Sequence, residues 1–144
     1  MADYFTHFSC LLPMSADDAE ACVRQRLADL ALDPDAAGGF VASVDRDALW
    51  IRDNDGHVDL DALVNFIIGC WRARGLSGLF VVEYAQTCSR PRAGAFGGGA
   101  IVIDLEAGEV VEEMGTGIWS EEVIARHGRI APLISGWPVR ASPI

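Results

Sequence analysis

The densest group of chemically capable side chains lies in one short run, TCSRPR at residues 87–92. A thiol close to two guanidinium groups can lose its proton easily and act as a nucleophile, so Cys88 with Arg90 and Arg92 is a candidate enzyme site. A phosphatase-like loop needs an arginine six residues after the cysteine, and Gly94 stands there instead. We therefore favour an inward-facing cysteine at a strand end and an arginine-bearing loop held by local acids. The two arginines remain candidates for a recognition loop.

A second run, DNDGHVD at residues 53–59, resembles the front of a calcium loop. Alignment of Gly56 with the invariant glycine of such loops places Ile51 at the first ligand position and Ala62 at the twelfth, where a bidentate glutamate belongs. Two essential ligands are missing, so the run is predicted to be a turn that leads into a helix capped by Asp59. We predict no metal and no cofactor.

Three consecutive glycines, at positions 97–99, follow the arginine loop. Phosphate-binding glycine loops lead from a strand into a helix, whereas this one leads into the strand-like run AIVIDL at residues 100–105. The glycines are therefore interpreted as a bulge or as a place where another backbone or a ring approaches closely. The neighbouring Phe96 is the candidate ring, and it joins the two arginines as a candidate binding residue.

The charge is strongly one-sided, with 21 acidic residues against 11 basic ones and a formal net charge of −10. Every basic residue is arginine, so Schiff-base chemistry and a Walker-type lysine are excluded. Direct nucleic-acid binding needs clustered positive charge and is not expected. A protein partner with a basic surface fits better, although the acids can also serve solubility alone. Three acid pairs are candidate contacts: Asp17 and Asp18, Asp45 and Asp47, and Glu112 and Glu113.

Apolar spacing and turn residues predict an α+β chain in the order β-α-β-β-α-β, followed by a hairpin and a last helix. This order suggests a two-layer sandwich, with an antiparallel sheet and two helices on one face, of the ferredoxin-like kind. The predicted strands cover residues 4–12, 40–44, 48–52, 78–88, 100–105 and 109–112, and the helices cover 16–32, 60–74 and, after a Ser120 cap, 121–127.

Residues 1–127 are predicted to form one domain, and residues 128–144 an extended apolar segment that packs on the domain or on a partner. Apolar stretches are too short to span a membrane, and the N-terminus lacks the basic start of a signal peptide. The four cysteines have no CxxC spacing and are predicted to be free thiols. We expect a cytoplasmic location, with a homodimer as one form of partnership.

Three segments, YFTHFSC (residues 4–10), ALWI (48–51) and TCSRPRAGAFGGGAIVIDL (87–105), together resemble a family of small bacterial proteins associated with plasmids, prophages and other mobile elements. The resemblance extends to about residue 105. It is most specific between the CSRPR and GGG motifs. The family has no established activity, and its association with mobile elements implies accessory roles such as inhibition of host defence or immunity.

The leading hypothesis is an acidic, non-enzymatic partner-binding protein. In its sharper form it inhibits a host defence complex by occupying a nucleic-acid-binding surface, as anti-CRISPR proteins do. An immunity protein that neutralises a toxin is a close variant. The alternatives are a small enzyme built on Cys88 with Arg90 and Arg92, and a self-associating structural module.

Overall fold

The computed structural model describes residues 2–75 and 77–128. Six strands run in chain order: β1 Tyr4–Pro13, β2 Phe40–Val44, β3 Ala48–Asp53, β4 Leu79–Cys88, β5 Gly97–Asp104 and β6 Glu109–Gly115. The α-helices of the described residues are α1 Ala16–Leu32, α2 Leu60–Arg72 and α3 Thr116–His127, with a short 3₁₀ helix at Pro34–Ala37. Apart from Gly128, the predicted C-terminal segment 128–144 lies outside the described residues.

The strands form one sheet in the order β2-β3-β1-β4-β5-β6, with every neighbouring pair antiparallel. The first four strands, with α1 between β1 and β2 and α2 between β3 and β4, have the arrangement of the predicted ferredoxin-like sandwich. Strands β5 and β6 extend the sheet beyond β4. The predicted fold class is therefore confirmed.

The core lies between the sheet and the two helices α1 and α2, which lie side by side on one face. An apolar stripe of α2 faces this core, since Leu63 and Ile67 are completely buried and Trp71 is nearly so. Asp59 caps this helix as expected, since its carboxylate accepts from the backbone N–H groups of the first turn. The sheet contributes fully buried aliphatic side chains from its central strands: Leu12, Leu49, Ile51, Val82 and Ile103.

Helix α1 buries fewer side chains than α2. The Ser15 hydroxyl caps it, since it accepts from the Asp18 N–H at 3.2 Å. Ala19 and Cys22 are buried. Leu27, further along the helix, is 63% exposed. The 17 residues of α1 span about 25 Å at 1.5 Å per residue. The five residues of β2, the edge strand beneath it, span only about 17 Å, so the end of the helix lacks support.

Strand β5 begins three residues earlier than predicted, and the three glycines are its first residues rather than part of a loop. Gly99 lies opposite both Tyr84 and Gly115, and a Cβ at Gly99 would be only 2.6 Å from the Tyr84 hydroxyl. The expected close approach of a ring is therefore present, but the ring belongs to Tyr84 and not to Phe96. Gly98 and Gly99 require glycine, because the backbone carbonyls of Tyr84 and Met114 fill the space of a side chain.

Helix α3 begins at Thr116, and the prediction that Ser120 caps it is wrong. Strand β6 continues to Gly115, which takes the cap position, and the chain turns directly into the helix. Ser120 lies inside the helix, where its hydroxyl donates to the Gly117 carbonyl at 2.8 Å. Across the part of the chain that the structure describes, no helix combines the length and apolar character needed to cross a membrane.

Candidate functional site

The two runs selected from the sequence meet at one end of the sheet, on either side of β1. On one side, Tyr4 of β1 pairs with Cys88 at the end of β4. On the other side, the Thr6 N–H donates to the Gly56 carbonyl at 2.6 Å, and Thr6 forms an isolated parallel bridge with His57. The turn after β3 and the loop after β4 are therefore neighbours, although the sequence separates them by some thirty residues.

A cleft of about 490 Å³ opens between these two segments. The backbones of Gly56 and Gly94 and the side chains of His57, Gln86 and Thr87 contribute to its wall. It therefore offers an imidazole, an amide and a hydroxyl. None of its described lining residues is acidic or is an arginine. This wall provides hydrogen-bonding groups without the paired acid and base that hydrolytic chemistry needs.

His7 and Asp53 form a hydrogen-bonded pair beside this cleft that sequence reasoning missed. The His7 Nδ1 lies 3.0 Å from Oδ2 of Asp53, and that oxygen also accepts from the Gly56 N–H at 3.1 Å. The other oxygen, Oδ1, accepts from the Phe8 N–H at 2.9 Å. Partial burial alone would raise the pKa of the Asp53 carboxyl. The hydrogen bonds from His7, Phe8 and Gly56 outweigh burial and hold that pKa below its usual value.

These contacts hold the DNDGHVD run in a turn, as predicted. The carboxylate of Asp53 is used by backbone and histidine donors, and that of Asp55 accepts from the His57 N–H at 3.1 Å. Gly56 has a φ of 81°, in the left-handed region that glycine adopts easily. The aromatic ring of Phe5 lies between the two imidazoles, at centroid distances of 5.8 Å to His7 and 5.6 Å to His57.

The three residues of the hypothetical enzyme site lie close together in the sequence, at the end of β4 and in the loop after it. Their side chains form no hydrogen bond or ion pair with one another. The Cys88 thiol is half-buried, whereas Arg90 and Arg92 are exposed. Within the described residues, neither guanidinium makes a hydrogen bond or an ion pair, and the contact between the two arginines is from the Arg92 N–H to the Arg90 carbonyl at 2.8 Å. Phe96 is 47% exposed in the same loop. The enzyme hypothesis stays a prediction.

A fixed group of side chains occupies the sheet face opposite the two helices. Neighbouring residues of a strand point to opposite faces, so Trp50 and Arg52 face away from the core that Ile51 enters. The Trp50 indole donates to the Ser9 hydroxyl at 2.9 Å. The Arg52 guanidinium lies 3.8 Å from the centre of the Trp50 ring and donates to the Ser43 hydroxyl at 2.9 Å. The two large side chains are thus held in position while Trp50 remains 36% exposed.

Exposed apolar side chains lie near Trp50 on the same open face. Leu11, opposite Trp50 on β1, is 52% exposed, and Val81 on β4 is 46% exposed. Tryptophan, arginine and aliphatic side chains presented together on a surface are typical of protein-binding patches. We call Leu11, Trp50, Arg52 and Val81 the open-face patch.

Two of the three predicted acid pairs come together, and the third does not. Asp17 and Asp18 lie in the first turn of α1, and the β2–β3 turn with Asp45 and Asp47 packs beside it, since the Met14 N–H donates to the Asp47 carbonyl at 3.2 Å. Glu112 and Glu113 instead lie on β6, at the far edge of the sheet. They also point to opposite faces, because consecutive strand residues alternate.

Within residues 2–75 and 77–128, the contact between a carboxylate and a basic side chain is that of Asp53 with His7, which is an ion pair only when His7 is protonated. Two of the arginines bond to backbone carbonyls instead: Arg26 donates to those of Ala37 and Phe40, and Arg72 to that of Ala107. Among the residues that the structure describes, most of the negative charge therefore has no ion-pair partner.

Comparison of the chain with protein-family models, with curated proteins and with solved structures gave no match in any of the three. The fold defines a ferredoxin-like α+β sandwich, and no other element among residues 2–75 and 77–128 covers its second, partly apolar sheet face. The resemblance to proteins of mobile elements stays a prediction. Function is therefore argued from the geometry of this chain alone.

Proposed function

We propose that the protein binds a protein partner through its open-face patch and catalyses no reaction. The observation that carries this proposal is the immobilised Trp50–Arg52 pair on an exposed sheet face. Tryptophan and arginine are enriched among the residues that dominate binding energy at interfaces. Because Trp50 and Arg52 are already fixed by hydrogen bonds and stacking, less conformational entropy is lost when a partner docks.

The charge of the chain supports a basic partner. The net charge is −10, and the carboxylates of Asp45 and Asp47 lie at the turn that leads directly into the strand of Trp50. Unpaired acids at the rim of an apolar patch attract a positively charged surface and accelerate association. We assign the rim role to the neighbouring pairs Asp17 with Asp18 and Asp45 with Asp47.

The sharper form of the proposal is an inhibitor that occupies a nucleic-acid-binding surface. Such surfaces carry clustered arginine and lysine, and a protein rich in unpaired carboxylates offers charges that can replace phosphates. The resemblance to proteins of mobile elements fits an inhibitor of a host defence complex of the anti-CRISPR kind, or an immunity protein that neutralises a toxin. Either role belongs in the cytoplasm, the location that we propose.

The test uses the full chain immobilised as bait, with a nuclease-treated lysate of the native host as the source of partners. Trp50→Ser is compared with Trp119→Ser, a matched control, because Trp119 on α3 is also exposed, at 50%. Asp45→Arg with Asp47→Arg is compared with the same reversal at Glu121 and Glu122, which also lie on α3. Circular dichroism confirms that each variant is folded before capture is measured.

We expect a basic protein that wild type and Trp119→Ser capture equally and that Trp50→Ser loses. Charge reversal at Asp45 and Asp47 weakens capture, and so does added salt, because the screening length falls to ~8 Å at physiological ionic strength. Equal capture by Trp50→Ser and Trp119→Ser would contradict the proposal. A folded Cys88→Ser variant keeps full capture, and its loss of function in the native host would favour the enzyme alternative.

A further inference from the structure

A groove runs between α1 and α2, on the helix layer and away from the open face. Its volume is about 640 Å³, which is enough for a small organic molecule. Residues with little or no side chain line it, among them Ala21 of α1 and Gly69 of α2. A Cβ added at Gly69 would meet no neighbouring atom of the described chain within 4 Å. The side chains of the two helices therefore leave this space open.

Arg74, just after the end of α2, lines this groove with an unused hydrogen-bonding edge. Its Nη1 donates to the Cys70 carbonyl at 3.4 Å. Its Nε is buried and has no acceptor among the residues that the structure describes. The Nη2 atom, on the same edge as Nε, makes no hydrogen bond to those residues either. Buried donors are nearly always paired in folded proteins, so this edge is available to an acceptor from outside the fold.

The geometry of that edge selects the acceptor. The Nε–Nη2 edge of a guanidinium matches the two oxygens of a carboxylate, which it binds through two parallel hydrogen bonds. Asp18 of α1 lines the same groove, but within the described chain it forms no ion pair with Arg74. Arg74 as a whole is only partly buried, so rotation of its side chain brings the free edge to a ligand in the groove.

The rest of the wall favours a ligand with a single negative charge and an apolar body. Phe66 supplies apolar surface, and Arg26 holds it in place, since the Arg26 guanidinium lies 5.2 Å from the centre of the Phe66 ring. Arg26 itself is already engaged, because it donates to two backbone carbonyls. Asp18 and Asp29 also line the groove, and their charges repel a second negative charge such as that of a phosphate.

We propose that the α1–α2 groove binds a small monocarboxylic acid with an apolar body. The carboxylate accepts two hydrogen bonds from the free edge of Arg74, and the body lies over Gly69 toward Phe66. These three residues share one face of α2, because they are spaced at intervals of three to five residues. The groove lies on the helix layer, so this site is independent of the open-face patch and of the partner proposed for it.

The experiment titrates the isotopically labelled full-length protein with benzoate and follows two sets of signals by NMR: the Arg74 Nε–H and the backbone N–H groups of α2. Benzamide, phenyl phosphate and acetate are the comparison probes, and they lack, in turn, the negative charge, the planar carboxylate and the apolar ring. We expect benzoate to shift the Arg74 Nε–H signal with a dissociation constant on the order of 1 mM. Phenyl phosphate and acetate should bind more weakly, and benzamide should produce no saturable shift.

Two variants test the site from different directions. Arg74→Gln removes the carboxylate-binding edge and should weaken benzoate binding about tenfold or more. Arg24→Gln is its matched control, because Arg24 is exposed on α1 and does not line the groove. Gly69→Leu keeps Arg74 but fills the groove, so it should abolish the saturable shift. This variant is expected to fold, since the added side chain meets open space and leucine favours a helix more than glycine does.

The titration of the wild-type protein decides the result even if a variant fails to fold. An Arg74 Nε–H signal that does not respond to benzoate, or that responds equally to benzamide, would overturn the proposal. Tighter binding of phenyl phosphate than of benzoate would overturn the assignment to a monocarboxylate. Unchanged benzoate binding by a folded Gly69→Leu variant would show that the ligand lies outside the groove.

Discussion

On the helix-covered face of the sheet, Leu12, Leu49 and Ile51 are completely buried, whereas on the open face Leu11 and Trp50 remain 52% and 36% exposed. These residues alternate along the same two strands, so neither strand is intrinsically interior. The difference arises from what covers each face. One face carries the packing that stabilises the fold, and the other is free to keep a fixed tryptophan and arginine at the surface.

The largest effect that tests this comparison is expected at the covered face. Ile67 of α2 is 0% exposed, and Ile67→Ala should lower the free energy of unfolding by ~2–5 kcal/mol, because it removes buried methylene groups and leaves a cavity. Urea denaturation followed by circular dichroism measures the change. A loss below about half a kcal/mol would show that α2 does not pack on the core as described.

An intermediate effect is expected at Asp53, the last residue of β3. Asp53→Ala leaves the His7 ring and two backbone N–H groups without their acceptor, and should cost ~1–3 kcal/mol at neutral pH. Because folding lowers the pKa of this carboxyl, its contribution is present above the unfolded pKa of about 3.9 and is lost as the pH falls further.

Unfolding measured against pH therefore separates this contribution from a simple packing defect. The difference in stability between wild type and Asp53→Ala should be present at about pH 5 and should shrink below about pH 4. A difference that does not change with pH would show that the carboxylate contributes through contact alone. His7→Ala provides the complementary variant, since it removes one of the three donors.

The smallest effect on stability is expected at the open face. Trp50→Ser removes one exposed hydrogen bond and the stacking of Arg52, and should cost at most about 1 kcal/mol. The same variant is the one expected to abolish capture of the partner. If Trp50→Ser destabilised the fold as much as Ile67→Ala, the open face would belong to the core and the proposed binding role would fail.

The parts of this structure that could be predicted are those determined by local pattern. The spacing of Leu63, Ile67 and Trp71 after the Asp59 cap is enough to locate α2, and the order of elements is enough to suggest the sheet. The start of α3 could not be located, because Ser120 resembles a cap as closely as any residue and nothing local favours Gly115. A run of glycines in a sequence also predicts a loop rather than a strand, since glycine is depleted in strands.

The functional contacts depend on packing between distant segments and leave no local signal. His7 and Asp53 are 46 residues apart, and they meet only because β1 and β3 are neighbours. The exposure of Leu27 follows from the short length of β2, which the periodicity of α1 cannot reveal.

Strand β6 ends the sheet with its backbone edge uncovered by any further strand of the described chain, and six of its seven residues are exposed. Such an edge is where sheets of separate molecules fuse into fibrils. A second β6 aligned antiparallel across a two-fold axis would bring Glu112 and Glu113 against the same carboxylates of the other copy. The bulge between Val102 and Ile103 also breaks the regular register beside it. The two glutamates and the bulge therefore both oppose amyloid-like polymerisation through the β6 edge.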